Sequence, residues 1–177
     1  MLQSAPRFPG ELPRMAQENS FDIVCEIDLQ EVDNAIQQTM KEVRTRYDFK
    51  GSASEVRREN REILIQADDE YKRKSLLELL NQRLAARKVS LKGISFGKPE
   101  EAAGGSVRQK AILQQGIPSD HAREIVRIIK GTGRKVQPSI QGDLVRVRGK
   151  NKDDLQAVMQ VLRASQIPID MQFVNYR

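Results

Sequence analysis

The chain has 177 residues, which suffices for one ordinary domain or two small ones. Thirty Lys and Arg against 24 Asp and Glu give a net charge of +6, which favours anionic partners such as nucleic acid, nucleotides or an acidic protein. A single cysteine excludes an internal disulfide and argues against a cysteine-based metal site. No apolar run reaches the roughly 20 residues that cross a bilayer, and no secretory signal opens the chain, so we expect a cytoplasmic protein without a membrane segment.

The chain begins with a segment that has no periodic pattern. Residues 1–19 hold three prolines and scattered charges, which predicts a flexible N-terminal tail, with Met15 as an alternative translation start. From Ser20 to Asp28 apolar and polar residues then alternate, which predicts a strand with one buried face. Cys25 lies on that apolar face, where we expect a small buried hydrophobe and not a reactive thiol.

The elements that follow predict a first repeat over residues 20–103. Asp28 and Glu31 form a capping box before a helix that runs to about Arg46. Two short β-type runs predict a hairpin, a leucine-rich run predicts a second helix, and a linker follows a short last strand. The predicted ranges are Ala53–Arg58 and Arg61–Ala67 for the hairpin, Glu70–Arg87 for the helix, Ile94–Phe96 for the strand and 99–105 for the linker.

The same order of elements recurs over residues 104–177, a more basic repeat with thirteen Lys and Arg against six Asp and Glu from Gly105 onward. Both halves therefore show the order βαββαβ, which predicts an α+β protein of two ferredoxin-like domains with antiparallel sheets and two helices on one sheet face. Pro138 predicts an edge strand or a bulge. The predicted ranges are Val107–Leu113, Pro118–Gly131, Lys135–Gln141, Leu144–Arg148, Asn151–Arg163 and Met171–Tyr176.

The sequence offers little for catalysis. It has one histidine, His121, no zinc-binding cluster and no nucleophile beside a base, so we predict a protein that is not an enzyme and has no metal or cofactor. The segment Lys130–Lys135 is glycine-rich, but it lacks the P-loop spacing and follows a helix. A helix end with a turn explains this segment, and a phosphate contact is the alternative.

Two segments could bind an anionic ligand. Arg46, Tyr47, Phe49 and Lys50 combine aromatic rings with cations, and they could stack a base or simply cover the end of the core. Arg146 and Arg148 are expected on the open sheet face, with Lys150 and Lys152 just beyond. Arginines there could hold phosphates or guanine, or merely keep the face soluble. The predicted central strands, Arg61–Ala67 and Leu144–Arg148, contain no aromatic residue, so stacking of single-stranded RNA on the sheet is not favoured.

Eight short segments carry a family resemblance: Ser20–Val24, Tyr47–Lys50, Gln115–Ile117, Gln141–Asp143, Arg146–Val147, Gly149–Lys150, Asp153–Met159 and Phe173–Tyr176. With these segments the sequence resembles the YajQ family of bacterial nucleotide-binding proteins, from Ser20 to the C-terminus. Arg148 departs from the family pattern, where a small hydroxyl residue is expected, and Pro138 interrupts a strand.

The resemblance implies two tandem ferredoxin-like domains whose first strands can be exchanged between the sheets. It also implies nucleotide binding, with cyclic di-GMP, other purine nucleotides and tRNA as ligands described for members, and with a transcription regulator as a partner. The family has no established catalytic residues. We therefore expect a cyclic di-GMP receptor that modulates a protein partner, with an RNA-binding module that uses the basic second repeat as the alternative.

Overall fold

The structure is a computed structural model that describes residues 18–177. The flexible tail predicted for residues 1–19 falls outside the described residues, apart from its last two positions. A short 3-10 helix, Tyr47–Phe49, follows the first α-helix. The α-helices are α1 (Leu29–Thr45), α2 (Glu70–Ala86), α3 (Ser119–Gly131) and α4 (Lys152–Ala164). The strands are β1 (Asn19–Val24), β2 (Glu55–Glu59), β3 (Glu62–Ala67), β4 (Ile94–Phe96), β5 (Glu100–Glu101), β6 (Val107–Leu113), β7 (Val136–Gln141), β8 (Leu144–Gly149) and β9 (Gln172–Val174).

The described chain forms two compact units that are not continuous in sequence. Unit 1 contains residues 18–24, 118–166 and 173–177, and unit 2 contains residues 25–117 and 167–172. Each unit therefore takes segments from both predicted repeats, 20–103 and 104–177.

Unit 1 has a four-stranded sheet in the order β7-β8-β1-β9. Strand β1 lies in the centre of this sheet, where Phe21 is paired with Val147 in an antiparallel register. Alternation sends Phe21, Ile23 and Val147 to the face that α4 covers, and all three are fully buried. Helices α3 and α4 supply further core side chains, which are Ala122, Ile125, Ile129, Leu155, Val158, Met159 and Leu162.

Unit 2 has a sheet in the order β2-β3-β6-β4, with the short β5 also paired to β6. Strand β6 opens the second half of the chain, yet it lies between β3 and β4 of the first half. Helices α1 and α2 pack against each other, and one apolar cluster runs from Ile27 to Leu113 through both helices and the sheet. The α+β class and the antiparallel ferredoxin-like sheets predicted from the sequence are confirmed.

Local signals in the sequence placed most element ends correctly. The Asp28 side chain accepts hydrogen bonds from the first turn of α1, and Asn151 does the same for α4. Pro138 lies on the edge strand β7, as predicted, and edge strands tolerate proline because part of their N–H groups face away from the sheet. Cys25 is buried, as expected.

The predicted end of the first strand was wrong. The strand predicted over Ser20–Asp28 ends at Val24, because the residues that follow form hydrogen bonds within unit 2. The backbone carbonyl of Cys25 accepts a hydrogen bond from the N–H of Gly116, and Glu26 forms a β-bridge with Gln115. Helix α3 ends at Gly131, as predicted, and Gly133 takes a positive φ after it.

Leu162 tests how far the core of unit 1 stabilises the fold. Its side chain is fully buried on α4, so Leu162→Ala should lower the free energy of unfolding by about 2–5 kcal/mol through lost burial and a cavity. Urea unfolding followed by circular dichroism measures this. The control is Val161→Ala on the exposed side of the same helix, for which a change within about 0.5 kcal/mol is expected. Equal losses in both variants would contradict this account of the core.

Candidate functional site

The predicted cluster that follows α1 lies in unit 2, and its two aromatic rings point to different environments. Phe49 is 4% exposed and belongs to the core cluster, whereas Tyr47 is 89% exposed. The Arg46 guanidinium lies 5.6 Å from the centre of the Phe49 ring and forks onto both oxygens of Asp48, at 3.0 and 2.9 Å. Phe49 therefore covers the end of the core and has no open face for a base, and the ring that is open to a ligand is Tyr47.

On the open face of the unit 1 sheet, Arg146 is not a free cation. Its register partner on β1 is Asp22, and Arg146 donates to this carboxylate from Nε at 2.8 Å and from Nη2 at 3.3 Å. Asn175 donates to the same carboxylate at 2.9 Å. Asp22 is 3% exposed, so the sheet face carries a buried carboxylate that is satisfied by three hydrogen bonds.

These contacts shift the acidity of Asp22. The hydrogen bond from Arg146 is the largest cause that holds the pKa of Asp22 below the ordinary aspartate value of 3.8, and the Asn175 amide acts in the same direction. Burial of Asp22 acts in the opposite direction, because it disfavours the charged form of the carboxyl group, but the pKa stays lowered. Arg146 is thus primarily a structural residue that keeps Asp22 ionised on the open face.

The other three predicted cations of unit 1 differ from Arg146. Arg148 lies on the same open face, with Ser20 as its register partner on β1 and Gln137 on β7. Lys150 lies in the corner after β8, where the Asn19 amide donates to its carbonyl at 3.2 Å, and Lys152 is the first residue of α4. All three side chains are exposed, and none of them forms an ion pair within residues 18–177.

Arg148, Lys150 and Lys152 are called the corner cations below. They run from the sheet face to the first turn of α4, whose backbone N–H groups also favour an anion. Unpaired cations at such a corner can hold phosphate groups without first breaking an internal salt bridge. The arrangement is therefore suited to a small anionic ligand.

Comparison with known proteins agrees with this chemistry. The sequence model described as "Nucleotide-binding protein YajQ-like" matches residues 19–177. The chain belongs to the YajQ-like family. A nucleotide-binding protein of Alkaliphilus oremlandii is 51% identical over 163 residues, which cover 92% of this chain and all of that protein. Similar relatives are a nucleotide-binding protein of Koribacter versatilis, 51% identical over 90% of this chain and 98% of its own, and one of Bacillus cytotoxicus, 50% identical over 92% and 100%.

In this YajQ-like chain the glycine-rich segment Lys130–Lys135 is accounted for by helix termination. The Thr132 hydroxyl donates to the carbonyl of Ile129 at 2.7 Å, Gly133 takes a positive φ, and Arg134 pairs with Asp154 at 3.3 Å. No group of three or more His, Cys, Asp or Glu side chains suited to a metal ion occurs within the described residues. No helix of residues 18–177 is long and apolar enough to cross a membrane.

Sequence reasoning missed a pocket beside the corner cations. It is lined by Asn19 and Ser20 from β1, Lys152 and Gln156 from α4, and the segment after β9. Only Lys152 was predicted as a site residue. The last segment includes part of Phe173–Tyr176, which carries the family resemblance, but nothing in it indicates a pocket. It reaches the pocket because β9 pairs with β1, which no local pattern reveals.

The Asp22–Arg146 pair makes a testable prediction for stability. Because the pKa of folded Asp22 is below the unfolded value near 3.8, ionised Asp22 stabilises the fold above that pH, and this stabilisation is lost as the pH falls through the lower folded value. Asp22→Asn should therefore lower the free energy of unfolding at pH 7, and its difference from wild type should shrink towards pH 3. Urea unfolding at both pH values measures this.

The matched control is Asp143→Asn, at an exposed position of the β7–β8 turn. This variant should unfold like wild type at pH 7. A wild-type-like Asp22→Asn at pH 7 would show that the hydrogen bonds to Asp22 do not stabilise unit 1.

Proposed function

We propose that this protein is a non-enzymatic nucleotide receptor, that its ligand is cyclic di-GMP or a related purine nucleotide, and that the corner cations bind it. The observation that carries the proposal is the exposure of Arg148, Lys150 and Lys152 without internal ion pairs in the described part of the chain, beside the N-terminus of α4. Membership of a family described as nucleotide-binding, and relatives of that name, support it.

The chemistry of the corner cations fits a cyclic dinucleotide. Cyclic di-GMP carries two phosphate groups and two guanine bases. Lys150 and Lys152 would neutralise phosphate oxygens, and the Arg148 guanidinium could fork onto a phosphate or the O6/N7 edge of guanine. Arg146 would act indirectly, because its guanidinium is already occupied by Asp22.

A second contact surface is proposed at the end of α1. There Tyr47 offers an exposed ring and Lys50 is an exposed cation. Arg46 is paired with Asp48, and its side chain is 42% exposed. A base could stack on Tyr47 while Lys50 approaches a phosphate. Phe49 contributes to this surface only by supporting the turn from within the core.

As a receptor, the protein would act through a partner. Cyclic di-GMP would change the affinity for a protein such as a transcription regulator, which requires that the ligand bind two states of the receptor with different affinity.

The alternative function is binding of tRNA, which the excess of cations from Gly105 onward favours. Salt separates the two functions, since a long RNA footprint releases many counterions and a dinucleotide releases few.

Titration calorimetry with cyclic di-GMP tests the corner cations. Arg148→Ala and Lys150→Ala should each weaken binding roughly 10- to 150-fold, which is the range for one lost charged hydrogen bond. Arg123→Ala, an exposed arginine of α3 in the same unit, is the matched control and should bind like wild type. GTP and tRNA serve as parallel titrants.

Three outcomes would overturn the proposal in different ways. Absence of binding of any nucleotide by the wild type would remove the receptor function. Equal affinity in Arg148→Ala, Lys150→Ala and Arg123→Ala would remove the site. Strongly salt-dependent tRNA binding without cyclic di-GMP binding would favour the RNA function.

The surface at the end of α1 has its own test. Tyr47→Ala should weaken cyclic di-GMP binding roughly 5- to 150-fold by loss of stacking, whereas Tyr47→Phe should keep most of the affinity. Because the Tyr47 side chain is exposed, neither change should alter the thermal midpoint. Unchanged binding by a folded Tyr47→Ala variant would exclude this segment as a contact surface for cyclic di-GMP.

A further inference from the structure

The missed pocket of unit 1 has a size and a lining that suit one nucleobase. Its volume is about 290 Å³. Ligand pockets commonly range from roughly 300 to 1,000 Å³, so this one matches a small group and not a whole cyclic dinucleotide. Leu155 and Met159 form part of its lining, together with polar side chains.

The aromatic side chain of the pocket is Tyr176, and it is held in place from behind. Its ring stacks on the buried Phe21 ring, with 6.4 Å between ring centres and an angle of 29° between planes. Phe21 in turn contacts Phe173 edge to face at 5.7 Å. The Tyr176 hydroxyl lies 3.6 Å from the sulfur of Met159, to which it donates. A ring that is fixed in this way and still 57% exposed offers a preorganised stacking surface.

The polar groups of the pocket complement a nucleotide. Lys152 and Arg177 supply positive charge, and the Arg177 backbone is fixed by a pair of hydrogen bonds with Ser20, at 3.0 and 3.2 Å. Gln156 supplies an amide, and the Asn19 amide nitrogen is engaged by the Lys150 carbonyl, which leaves its oxygen as an acceptor. Guanidinium and amide groups are those that read the edges of purine bases.

We propose that this pocket is the base subsite of the nucleotide site, in which a purine, guanine in the first place, stacks on Tyr176. The inference rests on the proposed function, since it assumes that the corner cations hold the phosphates. Arg177 would meet the O6/N7 edge of guanine, and Lys152 would contact the adjacent phosphate. Tyr176 and Arg177 then set specificity for the base.

The pocket adjoins the corner cations, because Lys152 is one of them and also lines the pocket. Ser20 lines the pocket and is the register partner of Arg148, and Asn19 binds the carbonyl of Lys150. A dinucleotide with one base in the pocket can therefore extend its phosphates towards Lys150 and Arg148. The second base would remain outside the pocket.

The experiment compares ligands with and without a base. Binding of GMP, AMP and ribose 5-phosphate to the full chain is measured by calorimetry for wild type, Tyr176→Leu, Tyr176→Phe and Arg177→Ala. Tyr176→Leu should weaken GMP binding roughly 5- to 150-fold and leave ribose 5-phosphate unchanged, because only the base stacks. Tyr176→Phe should bind GMP like wild type, and Arg177→Ala should lose the preference for GMP over AMP.

Tyr71→Leu is the matched control, since Tyr71 is an exposed tyrosine on α2 in the other unit. Thermal midpoints show that each variant is folded. Wild-type GMP binding in Tyr176→Leu would overturn the subsite while the cation site stood, and an equal loss of GMP and ribose 5-phosphate would overturn the stacking role. A wild type that bound neither GMP nor cyclic di-GMP would overturn the proposed function itself.

Discussion

The antiparallel pairing of β1 with β8 determines the architecture of unit 1. It brings together residues 124 positions apart, as in the contact of Arg146 with Asp22. Through this register, Phe21 enters the core next to Val147, Ser20 lies opposite Arg148, and Asp22 receives the Arg146 guanidinium. The same strand carries Asn19 to the start of α4 and pairs with β9 on its other edge. A one-residue slip would reverse the faces of all these side chains.

The elements could be predicted from the sequence because their causes are local. Each signal acts within a few residues of the chain. Examples are the carboxylate of Asp28 that caps α1, the apolar spacing of Leu155, Val158 and Met159 in α4, and the turn at Gly142. The choice of sheet is different, because β1 has the same alternating pattern whichever partner it takes. Its place beside β8 depends on burial of Phe21 and Ile23 against helices far along the chain. Local patterns therefore predicted the fold class and misplaced the end of the first strand.

The candidate site was predictable to the same extent. Arg148, Lys150 and Lys152 are every second residue from the end of β8 to the start of α4. Their closeness in sequence was therefore enough to predict that they lie near one another. Asp22 lies in a strand that the alternation predicts, but nothing in the sequence pairs it with Arg146. No local signal indicated that Tyr176 and Arg177 line a pocket, since they reach it only through the pairing of β9 with β1.

Two arginines that stand two residues apart on the same strand thus have different physical roles. Arg146 forms an ion pair with the buried carboxylate of Asp22. Removal of the guanidinium would leave the charge of Asp22 on the sheet face without this partner. Arg148 has no such partner within the described residues and its charge remains available to solvent and ligand. Replacement of both at once would mix a loss of stability with a loss of binding. The contribution of Arg148 to a ligand can therefore be measured only where Arg146 and Asp22 are kept, with the sheet face that they hold intact.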